Sequence, residues 1–132
     1  MLYHSNSHGA DPKVLRSAFI KCLKFALAST KEMKICIHTK NQLKRHVIKE
    51  AMGEKFIKTL LKGNISEMGV TILLETQRQV NNTQMVVLAP HISSQYLEEV
   101  IAQNGNADVV YLPWTEEELN NYLNKHPNSI AI

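Results

Sequence analysis

The sequence predicts a three-layer α/β domain with a mixed central sheet of four or five strands and helices on both faces. Three observations carry that expectation. Residues 85–89 (MVVLA) and Val109–Leu112 are short unbroken apolar runs, the composition of strands covered on both sides. Each run stops at a proline, Pro90 or Pro113, which lacks the N–H that a central ladder needs. Each proline then leads into a helix start. Thr115-Glu116-Glu117-Glu118 is a capping box, in which the Thr hydroxyl accepts from the N3 amide and Glu118 reaches back. Ser93 is the corresponding cap after Pro90. Residues 84–123 therefore read as strand, helix, strand, helix, with residues 85–89 central in the sheet.

The remaining elements follow in order. Residues 2–4 suit a short edge strand, and the polar stretch 5–9 is a turn. Asp11 caps a first helix with Pro12 at its first position, where a missing N–H costs nothing. Leu15, Ala18, Phe19, Cys22, Phe25 and Ala26 recur at three- and four-residue steps and give this helix one apolar face as far as about Ser29. Residues 33–38 form the next strand. Thr39-Lys40-Asn41 turns into a second helix whose stripe is Leu43, Val47 and Ala51. Gly53 breaks or kinks that helix, and Phe56, Ile57, Leu60 and Leu61 continue it to about Gly63. Val70–Thr76 is a strand, and only residues 77–84 separate it from the strand at Met85. A parallel crossover ordinarily needs a dozen or more residues, so these two strands are expected to form an antiparallel hairpin turning near Asn81-Asn82. The last helix runs from Glu116 to about Lys125, and residues 128–132 form a tail or an added edge strand.

A chain of 132 residues that is 44% apolar and 20% charged has the size and balance of one soluble globular domain spanning residues 1–132. No apolar run approaches the roughly 20 residues of a membrane helix. The first residues lack the basic and apolar regions of a secretory signal. Cys22 and Cys36 lie inside apolar patterns and read as buried free thiols, which places the chain in a reducing compartment, the cytoplasm. Charge is unevenly placed. Residues 1–64 hold 13 Lys/Arg and 4 Asp/Glu, whereas residues 65–132 hold 2 and 8. That asymmetry suits an anionic partner on the basic half, or a homo-oligomer joined through unlike-charged halves.

Motifs exclude more than they identify. The chain has no GxGxxG, GxxxxGK[ST] or GxSxG motif, so a glycine-rich phosphate loop and a nucleophile elbow are not expected. The pairs His4/His8 and Cys36/His38 lack further ligands at metal-site spacing, so neither a metal nor another cofactor is expected. Glu98-Glu99 and Glu116 to Glu118 sit at helix starts, where carboxylates stabilise the helix. Trp114 and Leu119 stand at the positions of a hydrophobic staple around Thr115. Were every strand parallel, His38, Thr39, Lys40, Glu75, Thr76, Arg78, His91 and Trp114 would gather at one sheet edge. The expected hairpin instead places His38, Lys40 and Glu75 on one edge and His91 with Trp114 on the other.

The layout resembles the broad group of Rossmann-like α/β domains, a resemblance of fold that does not by itself assign a function. The sharpest functional expectation is local. Lys40, Lys44 and Arg45 sit in the first turns of the second helix, where stability alone favours Asp or Glu. His38, Thr39, Lys40, Asn41, Lys44 and Arg45 are therefore expected to form an anion-binding corner for a small molecule or an acidic protein surface. Glu75, Arg78, His91 and Trp114 are further pocket candidates. With no nucleophile–base pair visible, the chain reads as a non-catalytic ligand-binding or protein-interaction module rather than an enzyme. One alternative is a small enzyme or sensor acting on a nucleotide or phosphorylated metabolite. Another is a weak, sequence-tolerant nucleic-acid binder using Lys40, Lys44, Arg45, Lys49, Lys55, Lys58 and Lys62.

Overall fold

The computed structural model describes residues 1–79 and 84–132. Among these residues the strands are β1 (Leu2–His4), β2 (Glu32–Ile37), β3 (Ile65–Glu67), β4 (Val70–Thr76), β5 (Val86–Pro90), β6 (Val109–Leu112) and β7 (Ile130–Ala131). The α-helices are α1 (Pro12–Leu27), α2 (Lys40–Leu43), α3 (Val47–Met52), α4 (Glu54–Lys62), α5 (Ser94–Gln103) and α6 (Glu116–Lys125), and Gln77–Gln79 adds a 3-10 turn. The strands form one mixed seven-stranded sheet in the order β3-β4-β2-β5-β6-β1-β7. The expected four or five strands become seven because the weak terminal strands both pair, Tyr3 opposite Ile130, and because β3 was not foreseen. β5, the apolar run before Pro90, lies fourth of seven, at the centre as expected.

The expected hairpin between Val70–Thr76 and the strand after Met85 does not form. Both strands instead flank β2, and both run parallel to it, with Met33 opposite Ile72 on one side and Val86 on the other. The proposed turn at Asn81-Asn82 lies outside the described residues. Nine residues, 77–85, lie between the two strands. A chain of that length can reach about 30 Å. Returning along a strand of about 20 Å and stepping across two strand spacings of about 4.8 Å requires only about 22 Å. A parallel crossover is therefore within the reach of this short link. The antiparallel pair of the sheet is β3–β4, closed by Met68 and Gly69 with φ of 51° and 83°. Positive φ at both central residues is the mark of the tight turn whose twist matches paired strands.

The second helix is three pieces: it breaks at Gly53 as expected and, in addition, before His46. The His46 ring caps α3, its Nδ1 accepting from the Ile48 N–H at 3.1 Å. Gly53 then separates α3 from α4 with φ of 92°. The other caps are as the sequence indicates. Asp11 accepts from the Lys13 and Val14 amides, Ser93 from Tyr96, and Thr115 from Glu118.

Strand residues alternate between two cores. Met33, Ile35 and Ile37 of β2, Val86 and Leu88 of β5, and Val110 and Leu112 of β6 pack with α1, α2, α3 and α4, through residues such as Leu15, Phe19, Leu43, Ile48 and Leu60. Cys36, Val87, Ala89, Val109 and Tyr111 pack on the opposite face with Tyr96, Leu97 and Val100 of α5 and Tyr122 of α6. Handedness explains this division. β2 leads to β4 on one side while β5 leads to β6 on the other. Right-handed crossovers moving in opposite directions must cover opposite faces.

Candidate functional site

β2 and β5 are adjacent parallel strands whose following helices leave toward opposite faces. Beyond the carboxyl ends of such a pair the backbone parts and leaves a crevice, the usual ligand position in open α/β sheets. A cleft of about 990 Å³ occupies that place. His38 follows β2, His91 and Ser93 follow β5, and Trp114 and Glu118 follow β6. Asn41, Gln42, Lys44, Arg45 and His46 form the wall contributed by α2 and the turn after it.

The parallel run of β4, β2, β5 and β6 thus brings together residues that the expected hairpin would have separated. His38, Asn41, Lys44, Arg45, His91 and Trp114 line one cleft. Thr39 and Lys40 begin α2 beside it, and the Thr39 hydroxyl accepts from the Gln42 amide at 3.3 Å. α2 is a single four-residue turn, so the cationic character of this wall comes from the Lys and Arg side chains rather than from a helix dipole. Arg78 is exposed in the 3-10 turn and does not line the cleft. Glu75 is elsewhere, buried on the α5 face. There it takes the Lys34 ammonium at 3.1 Å and the Cys36 thiol at 3.3 Å. Burial pushes that thiol's pKa up, so it remains a donor.

The cleft histidines are held by hydrogen bonds. His38 Nε2 accepts from the Ser93 N–H at 3.0 Å, which leaves Nδ1–H to donate to Gln77 Oε1 at 3.1 Å. Because His46 Nδ1 accepts from Ile48, its proton is on Nε2, which donates to His91 Nδ1 at 3.0 Å. Burial lowers the His46 pKa to about 4, with the neighbouring His91 adding to the effect. Burial also lowers that of His91, opposed by a hydrogen bond to the Gly9 backbone. Both rings are therefore neutral at pH 7. His91 has a φ of 61° while its N–H still donates to Leu112 O at 2.8 Å. Such a conformation costs a non-glycine residue on the order of 1 kcal/mol and is concentrated at functional positions. The Trp114 ring meets His91 edge-on, with centroids 4.9 Å apart, and remains 49% exposed. His46, Gln42, Ser93 and Glu118 were not expected as site residues. Ser93 and Glu118 carry cap signals that account for them structurally, and histidine is not among the usual N-cap residues.

Two other arrangements bear on chemistry. The Ser129 hydroxyl is 2.8 Å from His4 Nδ1, but His4 is 3% exposed, and the contact ties the start of β7 to β1. Among the described residues, no three His, Cys, Asp or Glu side chains converge as a metal ligand set would require. No protein-family model, curated protein or solved structure matches the chain.

Proposed function

We propose that this chain is a Rossmann-like three-layer binding domain that holds an anionic small molecule in the cleft beyond β2, β5 and β6. The observation that carries the reading is the convergence of Lys44 and Arg45 with Asn41, Gln42 and the immobilised histidines at the point where the helices diverge. The volume falls in the ~300–1,000 Å³ range of small-molecule sites. A non-catalytic role is favoured by how the histidines are used. His38 and His46 engage both ring nitrogens, and His91 is tied to His46 and to Gly9. A general base needs a nitrogen free to face its substrate. We place the protein in the cytoplasm, since Cys22 and Cys36 are free, buried and in opposite cores. No helix among the described residues is long and apolar enough to cross a membrane.

The test is thermal unfolding with inorganic phosphate, pyrophosphate and ribose 5-phosphate, for the wild type and for Lys40→Glu/Lys44→Glu/Arg45→Glu. A ligand at a hundredfold excess over its Kd stabilises by about 2.7 kcal/mol, on the order of 10 °C for a domain of this size. The wild type should shift and the triple variant should not. Equal shifts in both proteins would remove the site, and no shift in either would remove the anionic ligand.

A second reading rests on charge placement. α1 and α4 carry Lys13, Arg16, Lys21, Lys24, Lys55, Lys58 and Lys62, whereas α5 and α6 on the opposite face carry Glu98, Glu99, Glu116, Glu117 and Glu118. Opposite faces of unlike sign favour head-to-tail association of copies. Light scattering should then report a mass that falls as salt rises from about 20 mM to 500 mM, because screening shortens the range of these charges. A salt-independent monomer would exclude it.

A further inference from the structure

An inorganic anion would fill a small part of a cleft of about 990 Å³, so the remaining walls bear on what else the ligand carries. Trp114 is the only tryptophan of the chain, and about half of it is left open on the cleft wall. An aromatic side chain of this size is ordinarily covered, since leaving it in water forgoes much of its burial. The ring is also braced along one edge. It packs edge-on against His91, which is itself held by His46 and by the Gly9 backbone. The Gly9 N–H in turn donates to Pro113 O at 3.2 Å, fastening the loop that carries Trp114. A half-open indole braced along one edge offers its face as a stacking surface.

The cations lie in the same cleft on a different element. Lys44 and Arg45 come from the turn after α2, whereas Trp114 comes from the start of α6. Glu118, one turn into α6, is the carboxylate among the lining residues and can accept from hydroxyl or amino groups. A ligand matched to these walls has a flat ring for the indole, hydrogen-bond donors for Glu118 and an anionic group for the cations. Resting on the anion-binding reading above, we infer that the ligand is a free 5′-nucleotide, with its base stacked on Trp114 and its phosphate held by Lys44 and Arg45.

Trp114 supplies its own readout, because all tryptophan fluorescence arises in the cleft. The experiment titrates the protein with 5′-mononucleotides of the four bases, adenosine, ribose 5-phosphate and inorganic phosphate. Fluorescence is followed for the wild type, and calorimetry for the wild type, Trp114→Leu and Trp114→Tyr. Nucleotides should quench Trp114 and bind at least about fivefold more tightly than ribose 5-phosphate, the low end of what one base–aromatic stack contributes. Trp114→Leu should lose that margin while keeping its ribose 5-phosphate affinity, and Trp114→Tyr should restore most of it. Retained ribose 5-phosphate affinity also shows that the Leu variant is folded. Equal affinity for nucleotides and ribose 5-phosphate, unchanged in Trp114→Leu, would overturn the nucleotide assignment and leave the anion site standing. Absence of binding by every phosphate, including inorganic phosphate, would overturn both.

Discussion

Acidification should loosen this protein at one identifiable place. The His46 pKa is lowered from 6.5 to about 4, chiefly by burial, and His91 is lowered as well. A histidine whose folded pKa lies below its unfolded value binds fewer protons when folded. Its stabilisation is therefore complete above about pH 6.5 and is lost as pH falls toward 4. A shift of this size corresponds to about 3 kcal/mol. Discounted for solvent reaching a partly buried ring, roughly 2 kcal/mol should be at stake for His46. His4 is also lowered by burial and contributes with the same sign, so the wild-type profile alone would not isolate the cleft. His46→Asn does isolate it, since Asn can still accept the Ile48 amide proton as an N-cap but does not titrate in this range. Urea unfolding of both proteins from pH 7.5 to 4.5 is the assay. Wild-type stability should fall by roughly 2 kcal/mol more than that of His46→Asn. Parallel profiles would refute the buried, neutral histidine pair.

Other expectations follow from the same structure. Glu75→Gln should destabilise by about 3–5 kcal/mol in urea unfolding, because it leaves the buried Lys34 ammonium without its counter-charge; a loss below 1 kcal/mol would mean that the pair is hydrated. Thr115→Ala should cost about 1 kcal/mol in the same assay through loss of the 3.1 Å bond to the Glu118 amide. If the basic helices contact nucleic acid, retardation of single-stranded RNA at about 20 mM salt should disappear by about 200 mM for every sequence tried. Retardation that persists, or that selects one sequence, would contradict a purely electrostatic contact.

Much of the fold was legible because its signals are local. Pro90 and Pro113 end strands, Asp11, Ser93 and Thr115 cap helices, and the apolar stripe of α1 does face a core. Strand pairing is not local. The short link after Thr76 suggested a hairpin, yet β4 and β5 are parallel and separated by β2. That single error divided the candidate site, because it sent His38 and His91 to opposite edges. β3 escaped notice because Ile65-Ser66-Glu67 has only one apolar residue, and its turn uses Met68 where Asn or Asp is usual. The His46 cap has no familiar sequence pattern, so α2 and α3 looked like one helix, whereas the break at Gly53 was legible. Glu75 looked like a strand-end pocket residue, but the alternation of β4 turns it toward Lys34 and Cys36 on the α5 face.

On this proposal an anion is held where β2, β5 and β6 end. Backbone amide chemical-shift mapping with inorganic pyrophosphate tests it most directly. Saturable perturbations should concentrate in residues 38–46, 91–94 and 114–118 and be lost in the Lys40→Glu/Lys44→Glu/Arg45→Glu variant. Perturbations centred instead on the lysines of α1 and α4, or spread over the surface without saturation, would contradict it.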